Sequence, residues 1–233
     1  MFSEDGQTLY FTMEQHDGQT DIAQLSLHTG EIDVVLSTAD SEYSATPVPG
    51  RPALSVVRVE APDQRQRLWE IDSHSRQATV IFETVEPVGY HAWLDRNTVA
   101  LFLLGESFDL HLATRGSNQT RFLVSNIGRT LQIHPVSGEL LYVDKNHEPW
   151  MIAATGKDEK HRMVIPLFPD TEDFAVDDQG RFWMASGSKI YRASPDHSKW
   201  ILIEDLSEFG IFGITRIKLN GKTTSIVITT SRS

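Results

Sequence analysis

The sequence predicts an all-β chain, a β-propeller of six blades with four antiparallel strands each, the first and last blades incomplete. Three observations predict it. A tight turn followed by an apolar β-type run recurs six times, with turn anchors at positions 6, 50, 97, 138, 180 and 221 and spacings of 44, 47, 41, 42 and 41. Each period holds further β-type runs, so that four short strands fill about 43 residues, the period of a propeller blade. No window sustains an i, i+3, i+4, i+7 apolar pattern, and turn residues interrupt the chain every ~8–12 positions.

The elements follow in chain order. Ser3-Glu4-Asp5-Gly6 precedes Leu9-Tyr10-Phe11, and Pro49-Gly50 precedes Ala53 to Val57. Asp95-Arg96-Asn97 leads to Val99 to Phe102, and Ser137-Gly138 to Leu140 to Val143. Asp178-Gln179-Gly180 leads to Phe182-Trp183-Met184, and Asn220-Gly221 to Ser225 to Ile228. Glycine and asparagine suit these anchors because tight hairpin turns need positive φ. Tyr10, Val56, Leu101, Tyr142, Trp183 and Val227 are thereby placed at equivalent second-strand positions. The next strands are expected at Asp21 to Leu25, Arg67 to Ile71, Phe108 to Leu112, Trp150 to Ile152 and Lys189 to Tyr191. Outer strands are expected at Ile32 to Leu36, Ala78 to Phe82, Thr120 to Val124, Met163 to Ile165 and Trp200 to Ile203. Inner strands such as Tyr90 to Trp93 and Phe174 to Val176 close each period.

This gives 21 strands in a single domain spanning residues 1–233. The first blade begins at its second strand, so N-terminal strands are expected to be lacking. The open blade would leave unpaired edges prone to self-association. The alternative is a five-bladed ring, in which Ile214 to Lys218 completes the first blade and Ser225 to Thr230 has no slot of its own.

Composition bounds the function. Hydrophobic residues make up 39% and charged residues 23%, a balance that supports a folded core. The net charge of −11 argues against nucleic acid as a partner, since phosphate binding needs clustered Lys and Arg. The chain has no cysteine, which excludes disulfides, thiolate metal sites and a cysteine nucleophile. No apolar run approaches the ~20 residues of a membrane span, and Met1 to Gln7 do not read as a signal peptide.

Ser3-Glu4-Asp5-Gly6-Gln7-Thr8-Leu9-Tyr10-Phe11-Thr12, followed by Asp17-Gly18-Gln19-Thr20-Asp21-Ile22, resembles the repeat of TolB-like, WD-type propellers. Glu4 stands where that repeat has proline, and Ala23 where it has tyrosine. Asp40 to Pro47, Pro87 to Trp93 and Met184 to Lys189 resemble a group of uncharacterised bacterial TolB-like proteins. The resemblance covers essentially the whole chain. It implies a periplasmic or secreted location, with the cytoplasm as the alternative, and it fixes no activity.

Propeller geometry gathers two kinds of loop on one face: those from a fourth strand to the next first strand, and those from a second strand to a third. The candidate binding residues on that face are Glu42, Tyr43, Tyr90, His91, Arg129, Glu172, Asp173 and Arg216, with Asp40, Glu86 and Asp170 beside them. Mixed acids, two arginines, an imidazole and two phenols suit a polar ligand or a peptide. His91 is the one residue type there that titrates near neutrality. Glu172 and Asp173 are read as strand neighbours facing opposite sides, and so as members of different sites.

No catalytic residue is assigned. The nine histidines show no H-x-H or H-E-x-x-H spacing, and no G-x-S-x-G or P-loop pattern occurs, so no metal and no cofactor is expected. Asp17-Gly18 and Asp177-Asp178-Gln179-Gly180 resemble fragments of calcium loops but lack the full pattern, and they read better as hairpin turns. Trp69, Trp93, Trp150 and Trp183 are read as core. The expectation is a non-catalytic module that binds a protein, peptide or glycan, without nucleic acid and without membrane insertion. The alternatives are a polysaccharide lyase or hydrolase at the channel mouth and an accessory propeller gating a catalytic partner.

Overall fold

The computed structural model describes residues 1–156, 160–220 and 225–231. Two compact units divide the chain, Met1–Ser125 and Asn126–Ser233. All described regular structure is β except one 3₁₀ turn at Leu206–Phe209.

The first unit holds three antiparallel sheets. The first has β1 (Thr8–Glu14), β2 (Thr20–Ser26) and β3 (Ile32–Leu36), in that order. The second runs β4 (Ser41–Pro47), β5 (Ala53–Glu60), β6 (Arg65–Asp72) and β7 (Ala78–Val80). The third runs β8 (Val88–Trp93), β9 (Thr98–Leu103), β10 (Asp109–Thr114) and β11 (Thr120–Val124). Sequence order equals spatial order, as four-strand meanders require.

The second unit repeats the plan. Its first sheet is β12 (Ile127–Ile133), β13 (Leu140–Asp144), β14 (Met151–Thr155) and β15 (His161–Pro166). Next comes β16 (Ala175–Val176), β17 (Phe182–Ser186), β18 (Lys189–Ala193) and β19 (Trp200–Asp205). The hairpin β20 (Ile214–Leu219) and β21 (Ile226–Thr230) forms a two-stranded sheet.

The turn anchors behave as their residue types require. Gly6, Gly50, Gly138 and Gly180 all have positive φ. At Gly180 the conformation combines with crowding, because a Cβ there would lie 2.6 Å from His134 Cε1. The third anchor works differently: the Asp95 carboxylate accepts from the backbone N–H groups of Asn97 and Thr98. The sixth, Gly221, lies outside the described residues. The calcium-like fragments are turns of the same kind. Asp17 Oδ1 accepts from Gln19 N–H, and Asp177 Oδ1 from the N–H groups of Gln179 and Arg181.

The described residues hold 21 strands, as expected, and Val56, Leu101, Tyr142, Trp183 and Val227 sit in the second strands of their sheets, whereas Tyr10 lies in β1, the first strand of a three-stranded sheet. The six-blade expectation is corrected to its five-blade alternative. An anchor counts a turn and not a blade. The first and last anchors belong to partial sheets of three and two strands, so the two do not each contribute a blade. Ile226–Thr230, which had no slot in the five-blade scheme, finds one as the hairpin partner of β20.

Apolar side chains pack between successive sheets within each unit. Ile22, Leu36, Ala45, Val56 and Ile71 join the first two sheets. Val57, Leu68, Phe82, Trp93 and Leu101 join the second and third. In the second unit Leu141, Ile152, Phe174, Phe182 and Met184 fill the space between the two four-stranded sheets. Trp183, Ala185 and Ile190 meet Ile214 and Ile217 of the hairpin. Each of the valines, leucines, isoleucines, phenylalanines and the methionine contributes about 1.5–3 kcal/mol when fully buried.

Four of the five tryptophans lie beneath a cation. Arg58 covers Trp69 at 4.5 Å from the ring centroid, Arg115 covers Trp93 at 4.6 Å, Lys145 covers Trp150 at 4.3 Å, and Arg192 covers Trp183 at 5.5 Å.

One irregularity recurs in the inner strands. Pairing shifts register between Tyr43 and Thr46 in β4, between Val88 and Tyr90 in β8, between Ile127 and Leu131 in β12, and between Ile214 and Arg216 in β20. Such bulges bend a strand and re-aim its side chains. Tyr43, Tyr90, Arg129 and Arg216, four of the candidate residues, all lie at these irregularities.

Candidate functional site

In the second unit four candidate residues come together. A pocket of about 250 Å³ is lined by Arg129, Glu172, Asp173 and Arg216, with further walls from the loop before β16, the β17–β18 turn and the start of β20. These are the two kinds of loop expected to share a face.

The β12 irregularity builds one wall. Gly128 permits it, because a Cβ there would stand 2.8 Å from the Cβ of Val143 on the neighbouring strand. Arg129 is then aimed at the pocket and donates through Nη2 to the Thr215 carbonyl at 3.0 Å. The adjacent Thr130 donates to Asp173 Oδ2 at 3.0 Å.

Glu172 and Asp173 both line the pocket, against the expectation that they face opposite sides. That alternation holds in a strand, whereas this pair lies in the loop before β16. Their partners nonetheless differ. Glu172 is ion-paired with Lys145 and lies 3.8 Å from Arg129 Nε. Asp173 is buried and accepts from Thr130 and, at 3.0 Å, from the backbone N–H of Ile217, while Arg216 Nη1 lies 3.9 Å away. Burial, then the nearby Arg129 charge, lowers the Lys145 amine below its ordinary value. Lys218, two residues beyond Arg216 on β20, is likewise lowered by burial first; Asp173 opposes the shift and Arg216 adds to it.

Chemically the pocket is a polar recess lined by three acids, of which Glu172 and Asp173 are engaged and Asp170 is exposed. The solvent-facing charge on its inner wall is mainly guanidinium: the side chains of Arg129 and Arg216 are 30% and 39% exposed, against 21% and 5% for Glu172 and Asp173. Planar guanidinium groups recognise carboxylates and other polar planar groups well.

The four candidates in the first unit do not join a pocket of this kind. Glu42 is fully buried, accepts from the Thr38 hydroxyl at 2.6 Å, and lies 3.2 Å from Arg58 Nε. Burial raises its carboxyl pKa, while Thr38 and Arg58 pull it down. Tyr43 packs against the core between the second and third sheets. Tyr90 meets Phe102 edge to face at 5.5 Å. His91 is buried, with Nε2 2.6 Å from Ser55 Oγ, and the same hydroxyl oxygen accepts from Trp93 Nε1 at 2.8 Å. Burial pushes the imidazole down to about 3. A separate, more open recess is lined by Gln15, His16, Asp17, Gln19, Asp21, Ser37 and Thr38. Among the described residues no group of three His, Asp or Glu is arranged to hold a metal ion.

Sequence reasoning missed Lys145, Thr171 and the Ser186-Gly187 turn. A signal existed for the turn and for Lys145, since both follow second strands and so belong to the expected face. Only the loops before first strands supplied the original candidates.

No family model matches the chain, and no curated protein matches it. Solved structures do. A nidogen/laminin complex superposes with a TM-score of 0.70 at 13% identity, covering 96% of this chain and 84% of that one. An oligogalacturonate lyase in complex with manganese gives 0.64 at 14% identity, over 99% of this chain and 69% of that one. TolB from Acinetobacter baumannii is also matched, at 0.49 and 10% identity over 87% of this chain and 65% of that one, and adds nothing to the argument. What likeness at this identity establishes is architecture, and with the sheet order above it identifies the chain as an all-β propeller.

Proposed function

We propose that this chain is a non-catalytic propeller module that binds a protein, peptide or glycan through the loop face carrying the Arg129–Glu172–Asp173–Arg216 pocket. The observation that carries the reading is the convergence of these four residues from three separate chain segments. The state of the polar groups supports binding over turnover. Both carboxylates are committed to cations or N–H and O–H donors. His91, the sequence's best general base, is buried and stays neutral down to acid pH. A general base must instead reach a substrate proton near its working pH. A periplasmic or secreted location goes with this reading, as the TolB-like resemblance implies.

The test immobilises the full chain and measures binding of oligogalacturonates, neutral oligosaccharides and a displayed random-peptide library, with wild type and Arg216→Gln in parallel. At least one class should bind, and Arg216→Gln should weaken it about tenfold or more with the melting temperature unchanged. Binding that ignores the substitution would refute the pocket. Release of new reducing ends or peptide fragments, abolished by the substitution, would make the protein an enzyme.

A further inference from the structure

Beside the pocket the structure presents an apolar feature that the pocket does not use. The segment joining β19 to β20 exposes Phe209 and Phe212 at 73% and 61% of their surfaces, the two highest values among its apolar side chains. Ile211 between them turns inward and packs against the Trp183–Ile217 cluster. The segment is fastened at several points. Asp205 accepts from Ser207 N–H and from the Ser188 hydroxyl, and Gly210 closes the 3₁₀ turn with φ 71° and bonds to Leu206 and Ser207 carbonyls. Gly213, at φ 60°, permits the return into β20. Backbone bonds then tie the segment to the pocket wall: Leu206 N–H to the Ser188 carbonyl, and Ile214 N–H to that of Gly187, each at 2.9 Å. Gly187 and Ile214 both line the pocket.

Contiguous exposed apolar groups set among polar residues mark interaction sites, and Phe209 and Phe212 lie three residues apart on one fastened loop. Arginine is among the side chains that dominate binding energy at protein interfaces, and phenylalanine is enriched there. Presenting them on an ordered segment lowers the ordering cost of association. The charge arrangement selects the partner's chemistry. Arg129 and Arg216 present partly exposed guanidinium groups to the pocket, and Glu172 and Asp173 are already engaged. Asp170 adds an exposed carboxylate to the same lining, so an anionic group must sit against the two guanidinium groups and away from it.

We infer that the occupant is a polypeptide segment of a partner protein that inserts a carboxylate between Arg129 and Arg216 and lays an adjacent apolar side chain on Phe209 and Phe212. The inference rests on the pocket being the binding site and names the ligand class that this site takes. A glycan with a uronate would also satisfy the arginines and could stack a sugar face on a phenylalanine, so competition by oligogalacturonate is the outcome that would point to it.

The experiment selects a phage-displayed random-peptide library on the full chain, and synthetic versions of the selected peptides are then titrated. Selected peptides should place Asp or Glu beside an apolar residue. Their affinity should fall about tenfold or more for the double variant Phe209→Ser with Phe212→Ser, and equally for Arg216→Gln, and it should weaken as salt is raised. Phe212→Lys alone serves as a second variant, and melting temperatures confirm that each is folded. Loss with Arg216→Gln but not with the phenylalanine variants, together with competition by oligogalacturonate, would overturn the peptide inference and leave the pocket standing. Indifference to all variants would remove the pocket as well. Failure to select any peptide would overturn the inference.

Discussion

His91 shows how a residue's chemistry is set by its surroundings more than by its type. Sequence reasoning placed it on the binding face, beside Tyr90 in an inner strand. The strand β8 turns its imidazole inward, where Ser55 and Trp93 close a buried polar triad. In the unfolded chain an imidazole takes up a proton near its ordinary value of 6.5, whereas the folded chain refuses that proton until about pH 3. The unfolded state therefore binds more protons throughout this window. Stability is full above pH 6.5 and is lost as pH falls toward 3, by up to about 1.4 kcal/mol per pH unit. His91→Gln, which keeps a side-chain nitrogen and does not titrate, is expected to flatten that slope between about pH 6 and pH 4. Melting temperatures across this range check it, and parallel slopes in the two proteins would disprove the assignment. Arg129 and Arg216 were named from their place near the starts of inner strands, and the structure brings both to one pocket through irregularities the sequence does not show. The inward turn of His91 and Glu42 was not legible, because it depends on which neighbouring strand offers a hydroxyl or a guanidinium.

At the scale of the element, the strands were the legible part and their irregularities were not. Alternating apolar runs between Gly and Asp turns gave nearly every strand, because a period of two survives without knowledge of the partner. The register shifts at Tyr43, Tyr90, Arg129 and Arg216 left no such trace, since a bulge is defined only against the strand it faces. These shifts are what carry Arg129 into the pocket. The outer strand β19 has a different consequence. It ends its sheet and exposes Ile201, Leu202 and Ile203 in succession. An apolar edge is a template for pairing with another chain, and a lysine on the edge blocks it. Leu202→Lys is expected to reduce light scattering of concentrated, warmed protein and to leave folding stability within about 0.5 kcal/mol, as for surface changes in general. Unchanged scattering would show that self-association uses another surface.

At the scale of the whole molecule, net charge governs behaviour that no single contact does. The chain carries −11 at neutral pH, with a pI near 5.2. Like-charged molecules stay apart at pH 7 and lose that repulsion near the pI. Solubility is therefore expected to pass through a minimum close to pH 5, and salt is expected to depress it at pH 7 by screening. Precipitation assays across pH and salt check this, and a solubility that falls steadily with pH through that range would point to unfolding instead. The blade count also belongs to this scale. Six anchors were readable, but how the first three and last two strands are counted was not, because turn spacing says nothing of partial sheets. The cations above the indoles carry a consequence of their own. Trp69, Trp93 and Trp183 lie in the four-stranded sheets of β4–β7, β8–β11 and β16–β19, and Trp150 immediately precedes β14. A positive charge a few ångströms from an indole perturbs its excited state, and that perturbation ends when the stack opens. The sheets of β4–β7 and β8–β11 thus hold one emitter each, that of β12–β15 has one at its edge and that of β16–β19 holds two, Trp183 and Trp200, so the colour of the protein's fluorescence during denaturation records which sheet lets go first.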